Sequence, residues 1–208
     1  MENYIKMIAE DKIYPIIRCN DAQRALEVSK ALIDGGIRVL EINVENTSIY
    51  SVIEEVSKYA NVCAGGIISS MQASAALECG AKLFSSPIFQ MNMVKISKNK
   101  HVPFIAGAST ANEAYNAWKC RVPLIKLYPA KAMGGNQYIQ DILRQMPFLN
   151  LIPTGNVKLS EVIDYLKSGA IAVGVGRDFY QEFTSSEITK RTKEIIKEIK
   201  DFSEWNKK

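Results

Sequence analysis

ALIDGGIRVLEI (residues 31–42), ALECGAKLFSS (76–86) and YLKSGAIAVGVG (165–176) carry the same joint. In each, an amphipathic run ends on a glycine (Gly36, Gly80 or Gly169) and an apolar run follows. Glycine just past a helix end is the expected left-handed cap, because a residue without Cβ takes that backbone conformation cheaply. Neighbouring copies lie about two such units apart, and WKCRVPLIKL (118–127) fits the missing one with Arg121 in the glycine's place. A helix-to-strand joint repeated at this interval predicts a chain built of βα units.

The same alternation continues outside the joints. Apolar or β-branched runs predict strands at 13–18, 37–44, 61–66, 82–86, 102–106, 122–127, 149–153 and 171–175. The intervening segments have helical periodicity. In the first, Ala22, Ala25, Leu26, Ser29, Leu32 and Ile33 fall on one face. Asn20-x-x-Gln23, Ser69-x-x-Gln72 and Thr110-x-x-Glu113 resemble capping boxes, and Thr184-x-x-Glu187 opens a last helix over about 187–202. Eight βα units of about 26 residues each fill the 208 residues as one domain, 1–208, without a linker or tail. The favoured architecture is a (β/α)₈ TIM barrel with an N-terminal helix. A doubly wound open sheet shares the alternation, and periodicity alone does not separate the two.

Composition narrows the function classes. The chain is 47% hydrophobic and 23% charged with a formal net charge of +4, and its Lys and Arg residues are scattered. That pattern argues against nucleic acid as a partner and suits an anionic small molecule. No window of about 18 apolar residues exists, so no membrane partner is expected and a cytoplasmic location is the default. Four cysteines without a CxxC pair and one histidine, His101, argue against a metal site.

In a barrel the chemistry belongs at the C-terminal ends of the strands. Lys126 lies in LIKLY, in the middle of an apolar strand, where an ammonium is costly to bury. It is either a structural lysine paired with a carboxylate or a nucleophilic amine. A desolvated amine in its neutral form attacks ketones and makes imines. Glu41, in VLEIN, is the natural acid/base partner; alternation puts Glu41, Asn43 and Glu45 on one strand face. Arg18 ends the first strand and suits a carboxylate, or a structural ion pair. Thr154, Gly155 and Asn156 follow the seventh strand, and Gly174, Gly176 and Arg177 lie at the eighth. Barrel phosphate sites are commonly built from these two loops.

The motifs PIIRC (15–19), SSP (85–87), AGAST (106–110), IKLYPA (125–130), IPTG (152–155) and VGVGRDFY (173–180) together resemble the bacterial KDPG/KHG aldolases, including the 2-keto-3-deoxy-6-phosphogalactonate enzymes. The likeness runs from about Ile13 to Tyr180. It implies a (β/α)₈ barrel, a homotrimer, and no metal or other cofactor. It also implies a lyase that splits a phosphorylated 2-keto-3-deoxy sugar acid to pyruvate and glyceraldehyde 3-phosphate, with 4-hydroxy-2-oxoglutarate as a further substrate. On that resemblance Lys126 is the Schiff-base lysine, Glu41 the proton carrier, and Arg18 a ligand of the pyruvyl carboxylate. Pro87, Tyr128 and Thr154 fall on substrate-binding positions. Four residues depart from the family pattern. Glu45 stands where many members have arginine, Gly66 replaces a hydroxyl-bearing residue, Asn156 replaces the second glycine of a PTGG turn, and Arg177 replaces serine. These departures leave open a non-catalytic or substrate-shifted member that binds a sugar acid or phosphate.

Overall fold

The computed structural model describes residues 2–205. Eight parallel strands alternate with helices: β1 (Ile13–Ile17), β2 (Val39–Asn43), β3 (Asn61–Gly65), β4 (Leu83–Ser86), β5 (Phe104–Ala108), β6 (Leu124–Leu127), β7 (Leu151–Pro153) and β8 (Val173–Val175). The hydrogen-bonded order is β7-β6-β5-β4-β3-β2-β1-β8. The ring closes where Ile171 N donates to Leu151 O (3.0 Å) and Thr154 bridges Gly174. All eight predicted strands are present, and the architecture is the TIM barrel rather than the open sheet.

Two apolar cores follow from the two-residue side-chain period of each strand. Outward residues such as Leu40, Ile42, Phe84, Ile125, Leu127 and Val175 pack against the helices. Inward residues Tyr14, Ile16, Val39, Cys63, Leu83, Ile105, Leu124, Ile152 and Ala172 fill the lumen. The predicted N-terminal helix, α1 (Glu2–Asp11), plugs the bottom with Ile8 and is tied to the start of β2 by Arg38, which pairs with Glu10 and Asp11. Strands covered on both faces read as unbroken apolar runs, which is why they were easy to find.

The helix ends match the joint read from the sequence. Gly36, Gly80, Gly169 and Arg121 all have positive φ, with Arg121 at 65°. The capping boxes at Ser69 and Thr110 form as expected. One expectation fails: α2 (Ala22–Asp34) is capped by Asp21, whose carboxylate accepts from Gln23 N (2.9 Å), and not by Asn20. The Asn20 carbonyl instead accepts from the Asn46 side chain (2.8 Å), tying the loop after β1 to the loop after β2. The last helix (Ser185–Trp205) begins at the expected Thr184/Glu187 pair and outruns its predicted end.

Candidate active site

β2 and β6 stand on opposite sides of the eight-stranded ring, so inward side chains from the two meet across the lumen. Lys126 Nζ lies 2.6 Å from Glu41 Oε1 and 2.9 Å from Oε2. Glu41 is fully buried and Lys126 is 7% exposed. Gly107, in register with Lys126, lets the backbone of Ser86 and Pro87 close in. Gly65, in register with Asn43, makes room for Glu41. A Cβ on Gly65 would stand 2.5 Å from Glu41 Oε1 and collide with the Asn43 amide.

The carboxylate is held on every side. Ser85 Oγ donates to Glu41 Oε2 (2.7 Å), and Tyr14 OH donates to the same oxygen (3.0 Å). Lys126 Nζ also donates to Ser85 Oγ (3.2 Å). Burial first, and neighbouring Cys63 and Glu41 after it, hold the Tyr14 hydroxyl well above the ordinary phenol range, so it stays a donor. The Asn43 amide finds partners on both ends only with its nitrogen toward Glu41 Oε1 (2.8 Å) and its oxygen toward Arg18 Nε (3.0 Å) and Nη2 (3.1 Å). Polar groups therefore run from the lysine to an arginine at the rim.

A cleft of about 620 Å³ opens above this pair. Glu41, Lys126, Arg18, Pro87, Tyr128, Thr154, Gly155, Gly176 and Arg177 all line it. Gly174 does not. It sits inside β8, where a Cβ would strike Thr154 Oγ1, so it clears space for a lining residue instead of facing the cleft. Gly66 lines the wall at the end of β3.

Arg18 has its backbone gripped by one side chain: Tyr180 OH accepts from Arg18 N (2.8 Å) and donates to Arg18 O (3.1 Å). Its guanidinium Nε lies 3.2 Å from Glu45 Oε1. The adjoining wall is built by the loops after β7 and β8, which are linked where Leu159 N donates to Asp178 Oδ2 (2.9 Å). Glu161 Oε2 accepts from Lys158 N (2.8 Å), and Glu161 Oε1 pairs with Lys131 (2.7 Å). That wall carries Lys158 and Arg177; among the described residues neither has a carboxylate within salt-bridge distance.

Tyr14, Gly65 and Lys158 were not singled out from sequence, and Ser85 entered only as part of the SSP motif, with no role given to it. Tyr14 and Ser85 are hydroxyls at inward alternation positions, a signal that places both in the lumen. Lys158 follows the seventh-strand turn and reads as ordinary surface. Among the described residues, no group of three His, Cys, Asp or Glu side chains is arranged to hold a metal ion. No described helix is long and apolar enough to cross a membrane.

A lysine amine in contact with a carboxylate, at the floor of an open cleft, has the components for imine chemistry on a carbonyl. Comparison with known proteins gives the family. The chain is 27% identical over 196 residues to the KHG/KDPG aldolase of Escherichia coli K12, covering 90% of this chain and 92% of that one. Its fold matches the 2-keto-3-deoxy-6-phosphogluconate aldolase of Zymomonas mobilis, solved with 3-phosphoglycerate, with a TM-score of 0.85 at 21% identity over 94% and 95% of the two chains. It also matches the KDPG aldolase of Legionella pneumophila, solved with pyruvate as a covalent carbinolamine, with a TM-score of 0.83 at 23% identity over 92% and 97%. The KDPG and KHG aldolase family matches residues 4–199, nearly the whole barrel, and the chain belongs to that family of lyases.

Proposed function

We propose that this aldolase works through a Schiff base on Lys126, with Glu41 as its proton carrier, and cleaves a 2-keto-3-deoxy-6-phospho sugar acid to pyruvate and glyceraldehyde 3-phosphate. The observation that carries this reading is the Lys126–Glu41 contact at 2.6 Å beneath an open cleft. Proton transfer within the pair leaves a neutral amine and a carboxylic acid. The amine attacks C2 of the keto acid, and Glu41 returns its proton to the departing hydroxyl as water leaves and the imine forms. Glu41, again a carboxylate, takes the proton of the C4 hydroxyl. The C3–C4 bond breaks, its electrons flow into the imine, and the aldehyde departs. Glu41 then protonates C3 of the enamine, and water releases pyruvate and the free amine.

The rest of the cleft divides between the two ends of the substrate. Arg18 at the rim of β1 takes the carboxylate, with Thr154 and Pro87 beside the reacting carbons. Gly155, Gly176, Arg177 and Lys158 on the β7–β8 wall take the phosphate, where backbone N–H groups and cations act together. Tyr128 lies between the two ends. 4-Hydroxy-2-oxoglutarate, with a carboxylate in the phosphate's place, is the second substrate to test.

Incubation with pyruvate and borohydride adds a pyruvyl mass to the peptide carrying Lys126, and Lys126→Arg abolishes it. Label on another lysine, or none, overturns the reading. Pyruvate release from phosphorylated and unphosphorylated 2-keto-3-deoxy acids then assigns the substrate. For the assembly the proposal is a cytoplasmic homotrimer. Ile68, Met71, Ile88 and Met91 stand exposed around the starts of two neighbouring helices, an apolar face that association would cover. Sedimentation at three times the 23.2 kDa chain mass supports it; a monomer refutes it.

A further inference from the structure

The two walls of the cleft treat their cations differently. Lys158 and Arg177 on the β7–β8 wall have no carboxylate partner among the described residues, whereas Arg18 on the β1–β2 wall already has one. Glu45 Oε1 lies 3.2 Å from Arg18 Nε, and the Asn43 oxygen takes the same Nε (3.0 Å) and Nη2 (3.1 Å). The Nε/Nη2 edge of the guanidinium, one of the two that grip a carboxylate bidentately, is therefore occupied. Only the Nη1/Nη2 edge is left to face the cleft. The Glu45 side chain is 29% exposed and the Arg18 side chain 48%, so the pair is only partly screened by water.

We propose that Glu45 is a specificity-determining residue. It competes with the substrate's carboxylate for Arg18 and weakens the hold of this wall on an anion, so that the β7–β8 wall, where Lys158 and Arg177 stay unpaired although Asp178 and Glu182 line the same cleft, sets where the more highly charged end of the substrate docks. The inference rests on the Schiff-base reading and concerns the balance of charge within that site. Glu45 acts only through Arg18, and its removal changes binding rather than the chemical step.

The test uses borohydride trapping of the full-length protein with two ketones, pyruvate and its uncharged methyl ester. Glu45→Gln lowers the half-saturating pyruvate concentration about three- to ten-fold, the scale of one partly exposed charge contact. The half-saturating concentration of methyl pyruvate and the maximal trapping rate stay within about two-fold. Glu45→Asp keeps the wild-type preference, and in an Arg18→Gln background Glu45→Gln has no effect on pyruvate. A higher or unchanged pyruvate requirement in a folded Glu45→Gln overturns the proposal and makes Glu45 a support that positions Arg18. So does an equal shift for both ketones, or a shift that survives loss of Arg18. Those results leave the aldolase reading intact, because the wild type still takes the label. No label on the wild type with either ketone overturns the Schiff-base reading and this inference together.

Discussion

On the proposed mechanism, Gly65→Ala separates the geometry of the Lys126–Glu41 pair from its mere presence. The glycine has no positive φ, so alanine fits the backbone and the effect of the substitution is steric. The new Cβ would lie 2.5 Å from Glu41 Oε1 and 2.6 Å from Glu41 Cγ, with the Asn43 amide closer still. Ordinary van der Waals contact begins near 3.4 Å, so the carboxylate has to retreat by about 1 Å from a position where Tyr14, Ser85 and Lys126 all hold it. Overpacking of this kind costs about 1–3 kcal/mol, which for a chain of this size lowers Tm by roughly 2–12 °C. A misplacement of about 1 Å costs catalysis about 100-fold. The assay is pyruvate release under saturating substrate, with a thermal melt on the same preparation. Gly36→Ala is the control: its φ of 107° makes alanine strained, but Gly36 lies at a helix end far from the cleft. It should lose comparable stability, roughly 1–2 kcal/mol, and keep kcat. A folded Gly65→Ala with kcat within about three-fold of wild type would refute the reasoning.

Three other substitutions probe separate links. Ser85→Ala leaves Glu41 Oε2 short of a donor and should cost about 1–3 kcal/mol in a denaturant melt. Its kcat should fall more than KM rises, whereas a pure KM effect would mean that Ser85 serves binding alone. Arg121→Gly relieves a side chain held at φ 65° and should raise stability by roughly 0.5–1 kcal/mol, read as a higher Tm, with activity unchanged; a lower Tm counts against the joint repeat. Glu113 accepts from Ser109 N and Thr110 N (both 2.8 Å), and these backbone donors, ahead of the Thr110 hydroxyl, hold its carboxyl below the ordinary range. Its folded pKa is thus depressed, so the contribution is present above the unfolded value and lost as pH falls through the folded one. Glu113→Gln should melt earlier than wild type at about pH 7 and converge with it at about pH 2; a gap that stays constant with pH would refute the assignment.

The strands were legible because burial on both faces removes polar residues from them, and the joints because six described helices end in a left-handed residue, which at three of them is glycine (Gly36, Gly80 and Gly169). Even Arg121, which breaks the glycine pattern, keeps the backbone the pattern demands. The cap of α2 was misplaced by one residue because Asn20 and Asp21 are both cap formers, and the choice depends on which takes extended φ and ψ. Glu41 and Lys126 were legible as charges inside apolar strands; their meeting follows only when the ring closes and sets β2 opposite β6. The roles of Tyr14, Ser85 and Gly65 were not legible, since each is an unremarkable strand residue until the lumen gives it Glu41 as a neighbour. Gly174 was misread for the complementary reason. The turn VGVGRD carries two glycines, and sequence does not say that one clears Thr154 while the other lines the cleft.

A buried ion pair is weak evidence for stability, because desolvating both charges offsets most of their attraction and apolar residues of similar volume often do better. The lumen already has such residues one layer down, in Leu83, Ile105, Leu124 and Ile152. Lys126 and Glu41 are therefore not what the barrel needs in order to stand. They lie where the apolar plug ends and the cleft begins, a level at which burial and access coexist: both side chains are buried, yet both line the cleft. Gly65 and the hydroxyls of Tyr14 and Ser85 fit the same account, since the glycine gives the carboxylate room and the hydroxyls give it donors. On the proposed mechanism the site is a deliberate gap in the core, and the residues that frame the gap are as necessary to it as Lys126 and Glu41.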